Sequence, residues 1–211
     1  MSTFQEFVAT RGTSRARRIC RKIARGETSA PKVLLLYGPV SSGKSHLARA
    51  TARERASWDS EARVVVISTE SLRAKLVDAI RQDRIESFRQ DLAGISFLVL
   101  EDVQVLTGKP GTQACLAREL AREFRGHVIV TVAGLPSVVA DFCRNAGNVR
   151  CIAVTPPTAR EMRRIVQVIA RNRSVDAMPR LVARIARRAG GDIRRATGEI
   201  NRWEFSRRMR Q

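Results

Sequence analysis

Gly38-Pro39-Val40-Ser41-Ser42-Gly43-Lys44-Ser45 decides the reading of this 211-residue chain. The octapeptide is a full G-x-x-x-x-G-K-S match. It follows the apolar run Val33-Leu34-Leu35-Leu36-Tyr37 and opens a stretch, Ser45 to Trp58, whose apolar residues fall at helical spacing. Strand, turn and helix in that order are the context in which the motif carries chemistry. Its glycines let the backbone wrap closely enough for successive N–H groups to face a phosphate, and the helix N-terminus adds a favourable dipole. Lys44 is placed to reach the β- and γ-phosphates of a nucleoside triphosphate, and Ser45 to offer its hydroxyl to Mg²⁺. The expected nucleotide-binding residues are therefore Gly38, Val40, Ser41, Ser42, Gly43, Lys44, Ser45 and His46, with His46 packing or capping locally rather than doing acid–base work.

Outward from this motif, four more short runs read as buried strands: Val64 to Ser68, Phe97 to Leu100, Val128 to Val132 and Cys151 to Val154. They are continuously apolar rather than alternating, and helical stretches at Ser45 to Trp58, Ser71 to Ile80 and Gln113 to Arg125 lie between them. That combination implies a parallel sheet covered on both faces. The fold class is α/β, with five parallel strands flanked by helices. The run Phe97-Leu98-Val99-Leu100 ends in Glu101-Asp102. Carboxylates at the C-terminal end of a parallel strand face the crevice where ligands bind. Glu101 is the metal-side candidate, and Asp102 the candidate for polarising the attacking water.

After Thr155-Pro156-Pro157 no further strand is expected. Three helices follow, at about Thr158 to Asn172, Met178 to Ala189 and Asp192 to Arg208. Thr158 can cap the first of them, and Gly190-Gly191 ends the second. The expected division is a nucleotide-binding α/β domain over 1–156 and a small helical lid over 157–211, with a basic helix, Ser14 to Arg25, leading in.

A hydrophobic content of 44% supports a packed core and excludes a disordered tail protein. The chain holds 34 Arg and 5 Lys against 20 acids, a net charge of +19, of which Arg144 to Gln211 carries +12. Clustered arginine suits a polyanion such as nucleic acid or nucleotide. The coding bias of a G+C-rich genome would enrich arginine in the same way. No apolar run approaches the roughly 18 residues of a membrane span, and no leader pattern opens the chain, so a cytoplasmic location is expected. Cys20, Cys115, Cys143 and Cys151 are widely spaced without a CxxC, which favours neither a zinc site nor a disulfide framework.

Taken together, these residues resemble the AAA+ module of the bacterial replication initiator DnaA and its short relatives of the Hda type. The likeness starts at Thr3-Phe4-Gln5-Glu6-Phe7-Val8, similar to the family's leading segment, which lies along the adenine. It continues through Tyr37-Gly38, the phosphate loop, His46-Leu47 and Val64 to Glu70. Asp78 to Arg81 and Glu86-Ser87-Phe88-Arg89 are similar to the initiator-specific region, and Glu101 to Gln104 with Gly108-Lys109 to the segment bearing the Mg²⁺ acids. Gly191-Asp192-Ile193-Arg194-Arg195, running into Gly198 and Asn201-Arg202, resembles the lid helix that presents the sensor II arginine. The resemblance implies that Arg194 touches the γ-phosphate, so that lid angle reports ATP versus ADP.

Three departures from the family pattern bear on turnover. Glu101 stands where an aspartate is usual. Ala133 occupies the sensor I position, where it can neither hydrogen-bond a γ-phosphate nor place water. The arginine finger aligns at or beside Asn145, with Arg144 one residue off. An arginine finger alone is worth about 10³ to 10⁵ in rate, so ATP binding with slow hydrolysis is expected, Lys44, Asp102 and Arg194 carrying the catalysis.

The resemblance implies an ATP-dependent switch of replication initiation, either initiator or initiator regulator. Its expected partners are ATP or ADP with Mg²⁺, single-stranded DNA, a DnaA-type, helicase or clamp protein, and further copies of itself in an oligomer or filament. The alternatives are a helicase-loader or adaptor module, and a non-hydrolysing ATP-binding relic. No helix-turn-helix segment follows the lid in this sequence, so sequence-specific duplex recognition is not expected of it.

Overall fold

The computed structural model describes residues 3–106, 108–134, 149–175 and 178–209. Helix α1 (Ser14–Ala24) precedes β1 (Val33–Gly38), and α2 (Lys44–Trp58) leads to β2 (Val64–Ser68). Two helices, α3 (Thr69–Arg81) and α4 (Ile85–Ala93), then connect to β3 (Phe97–Glu101). A 3₁₀ turn (Val103–Leu106) and α5 (Pro110–Glu123) lead to β4 (His127–Ala133), and β5 is Val149–Ala153. Three helices finish the chain: α6 (Ala159–Asn172), α7 (Pro179–Ala189) and α8 (Ile193–Arg208). Every expected strand is present within two residues of its anticipated start. Helix α4 was not anticipated.

All pairings in the sheet are parallel, and the strand order is β2-β3-β4-β1-β5. The central strands β3 and β4 are almost wholly buried and β1 is buried at Leu34, Leu35 and Leu36, which is why they read as unbroken apolar runs, while β2 and β5 are only partly covered at the edges. Because side chains alternate along a strand, the two faces make separate cores. Leu34, Leu36, Phe97, Val99 and Ile129 pack with Ile19, Ile23 and Leu47 of α1 and α2. Leu35, Leu98, Leu100, Val128 and Val130 pack with Leu76, Phe88 and Leu116 of α3, α4 and α5.

A third core belongs to the C-terminal helices, built on Met162, Val166, Leu181, Ile185, Ala196 and Ile200. Their starts are chemically marked. Thr158 and Glu161 form a capping box on α6, and Asp192 caps α8 by accepting from the Arg195 amide at 3.0 Å. Helix α7 stops at Gly190 in the left-handed conformation, φ 57°. The N-terminal segment ties this bundle to the sheet: Phe4 and Phe7 pack in the α1/α2 core, Val8 packs against the helical core, and the Arg11 amide donates to Glu161 Oε1 at 2.6 Å.

Candidate functional site

The phosphate loop bridges the carboxyl end of β1 and the amino end of α2. Gly38 has φ 145°, and a Cβ there would sit 2.2 Å from the Val154 carbonyl oxygen, so only glycine permits this close pass of two strands. Gly43 (φ 100°) occupies the N-cap position of α2 and supplies no capping side chain, leaving the first-turn amides to an external acceptor. Lys44 is 6% exposed at the floor of the loop. Its ammonium donates to the carbonyls of Gly38 (2.8 Å) and Pro39 (2.6 Å) and to Ser42 Oγ (3.4 Å). Burial pulls the Lys44 pKa below the ordinary lysine range; Asp102 opposes that pull and Arg194 adds to it.

A cleft of about 720 Å³ opens above the loop, lined by Val40, Ser41, Gly43, Lys44, Ser45, His46, Asp102 and Ala133, and on the lid side by Ile193, Arg194 and Asn201. It continues past Gly43 and His46 into a second cavity of about 380 Å³ walled by Phe7, Val8, Pro157, Ile165, Ile169 and Ile193. The first arm holds Lys44, Asp102 and Arg194, and the second sets an aliphatic and aromatic wall beside the polar Glu6, Thr10, Asn172 and Arg173, a lining that suits the phosphate and base ends of a nucleotide. The lid comes close to the loop at Asp192, whose carboxylate accepts from the Arg195 amide at 3.0 Å. The Arg195 amide first, then Ser41 and Arg194, hold that carboxyl below its usual range.

The structure brings Lys44, Ser45, Asp102 and Arg194 around one cleft with Val40, Ser41 and Gly43, while Ser42 lines the second cavity and Gly38 lies beneath, against Val154. His46 lies where the two arms meet, its Nε2 3.4 Å from the Thr3 carbonyl oxygen and its ring 5.4 Å from that of Phe7. Glu101 is paired with Arg49, a partner the sequence reading did not foresee. It stands on the same face of β3 as Phe97 and Val99, toward α2, and its carboxylate is taken by Arg49, which donates from Nε at 3.0 Å and from Nη2 at 2.6 Å. The bond to Glu101 raises the Arg49 pKa. Held in this way, Glu101 is not among the side chains that line the cleft with Ser45. Among the described residues, no group of three or more His, Cys, Asp or Glu side chains is arranged to hold a metal ion. Arg144 and Asn145 lie outside the described residues.

Sequence reasoning missed Gln104. Its side chain joins Asp102 to the Ala133 amide. It also missed Ile165 and Ile169, which read as ordinary core positions of an amphipathic helix yet wall the second arm.

Placing β4 between β1 and β3 sets the phosphate loop and the acidic strand end along one carboxyl edge, and the helical lid brings Arg194 to the same cleft. This order of strands with this lid defines a P-loop nucleotide-binding module of the AAA+ class. A sequence profile described as the bacterial DnaA ATPase domain matches residues 1–143, and the chain belongs to that family. It is 26% identical over 210 residues to the chromosomal replication initiator protein DnaA of Chloroflexus aurantiacus, covering 95% of this chain and 43% of that protein. Domain III of the Thermotoga maritima replication initiation protein DnaA superposes with a TM-score of 0.81 at 22% identity, covering 93% of this chain and 85% of that one. A replication initiator DnaA bound to AMPPCP and single-stranded DNA superposes with a TM-score of 0.78 at 20% identity, covering 95% of this chain and 63% of that one. At these identities the structural likeness is one of fold. The chain spans less than half the length of the curated relative.

Proposed function

We propose that this chain binds ATP and uses the nucleotide's phosphate number to set the posture of its lid, as an ATP-responsive switch in DNA replication initiation. The observation that carries the reading is Lys44, a buried ammonium at the floor of a glycine-framed loop, facing Arg194 of the lid across one cleft. A triphosphate tail placed there compensates Lys44 for its desolvation and meets the α2 amides. The base end enters the second arm between Phe7, Ile165 and Ile193. Arg194 reaches for the terminal phosphate, so ATP draws α8 toward the loop and ADP releases it. Asp102 orients water for a slow hydrolysis, because Ala133 contributes no side chain to that task. Mg²⁺ would enter with the phosphates and meet the Ser45 hydroxyl; no step relies on Glu101.

Single-stranded DNA is the polymer we assign to the basic surface, an assignment supported by the relative bound to AMPPCP and single-stranded DNA. On α3 and the turn before α4, Lys75, Arg81 and Arg84 are exposed, whereas Arg73 is tied to Glu70 and Arg89 to Glu119 and Glu86. Phosphate contacts at the three exposed cations would make binding salt-sensitive and sequence-tolerant. The test is fluorescence anisotropy with a labelled oligonucleotide, comparing ATP- and ADP-loaded protein across salt. Stronger binding with ATP that weakens steeply with salt is expected. Salt-insensitive binding, or identical binding with both nucleotides, contradicts the assignment.

A further inference from the structure

Alternation along β3 directs Glu101 toward α2, and Arg49 waits there one helical turn beyond Ser45. The two donations to Glu101 are a bidentate fork, the geometry in which a guanidinium holds a carboxylate most firmly. The Glu101 side chain is 8% exposed and that of Arg49 is 56% exposed, so the arginine caps the acid from the solvent side. A fixed cation therefore neutralises the carboxylate that would otherwise favour a divalent ion beside the phosphates. Within the cleft, Asp102 remains the only described acid facing Lys44, and it is also hydrogen-bonded by Gln104. Lys44 and Arg194 already supply positive charge to a polyphosphate without help from a metal.

We infer that the Arg49–Glu101 pair stands in for the metal-side acid of this nucleotide site, so that the chain takes metal-free ATP and its Mg²⁺ complex with nearly equal affinity. This rests on the nucleotide reading above and concerns the same cleft. Arg49 acts here as a specificity-determining residue, setting the form of nucleotide the site accepts without touching it.

The test is isothermal titration calorimetry of the whole chain with ATP, once in excess Mg²⁺ and once in EDTA. The two dissociation constants are expected to agree within about threefold, where a carboxylate-assisted metal site would separate them by about tenfold or more. Arg49→Met, checked for folding by circular dichroism, releases the Glu101 carboxylate and is expected to create a preference for the Mg²⁺ complex of about tenfold. A wild-type affinity that collapses in EDTA overturns this inference and leaves ATP binding intact. No heat in either buffer overturns both. The wild-type ratio decides the matter whether or not the variant folds.

Discussion

Gln104 donates from Nε2 to Asp102 Oδ1 at 3.0 Å, while its Oε1 accepts from the Ala133 amide at 2.9 Å. The carboxamide thus spans from the Ala133 amide to Asp102, the acid that lines the cleft among the described residues. Asp102 itself sits in the left-handed region, φ 62°, its amide donating to Thr131 Oγ1 at 3.2 Å, so its direction is set from both backbone and side chain. Gln104→Leu removes the side-chain restraint. Steady-state hydrolysis is expected to fall by about tenfold with ATP affinity changed less than about twofold, the signature of lost orientation rather than lost binding. Parallel loss of affinity would show that Gln104 holds nucleotide instead.

Arg194 is exposed on α8 at the rim of the cleft, and its guanidinium raises the electrostatic cost of charging Lys44. A γ-phosphate placed between the two cations relieves that repulsion, and an ADP lacking it does so less. Arg194→Ala is expected to weaken ATP by about tenfold and ADP by about twofold or less, as charge-assisted hydrogen bonds to a terminal phosphate require. Titration of both nucleotides checks this, and equal weakening would remove Arg194 from the discrimination.

Burial holds His46 below the ordinary imidazole value, with the Thr3 carbonyl and Glu6 opposing the shift. The fold therefore favours neutral His46, and the unfolded chain takes up the proton more readily. This contribution is intact above about pH 6.5 and is lost as pH falls from there through the lower folded value. Wild type is expected to lose more Tm between about pH 7 and pH 5 than His46→Gln, which keeps a neutral donor for Thr3. Equal losses would place the acid sensitivity elsewhere.

The strands and the loop were legible because their signals are local. Five apolar runs, a glycine pair and a lysine at fixed spacing need no tertiary information, and the capping residues Thr158 and Asp192 announce their own helices. Helix α4 escaped notice because its nine residues bury only Phe88 and Leu92, too few for a helical period to stand out. The fate of Glu101 was hidden for a different reason. Alternation along β3 gives its face, but its partner Arg49 is 52 residues away on another element. The second arm was hidden as well, since Ile165 and Ile193 become a wall only when the lid folds against Phe7. Ala133 marked what was missing from the site without revealing that Gln104 reaches across to its amide.

The most direct test of the account is calorimetric titration of ATP, with Mg²⁺ present, into wild-type protein and into Lys44→Ala. Lys44 gives the cleft its buried cation and also ties the loop through the Gly38 and Pro39 carbonyls, so circular dichroism checks that the variant is folded before it is titrated. The account predicts one ATP site in the wild type and an affinity lower by about a hundredfold or more in the variant, the cost of removing a desolvated charge from a phosphate. Equal affinity in the two proteins, or no heat in the folded wild type, would contradict it.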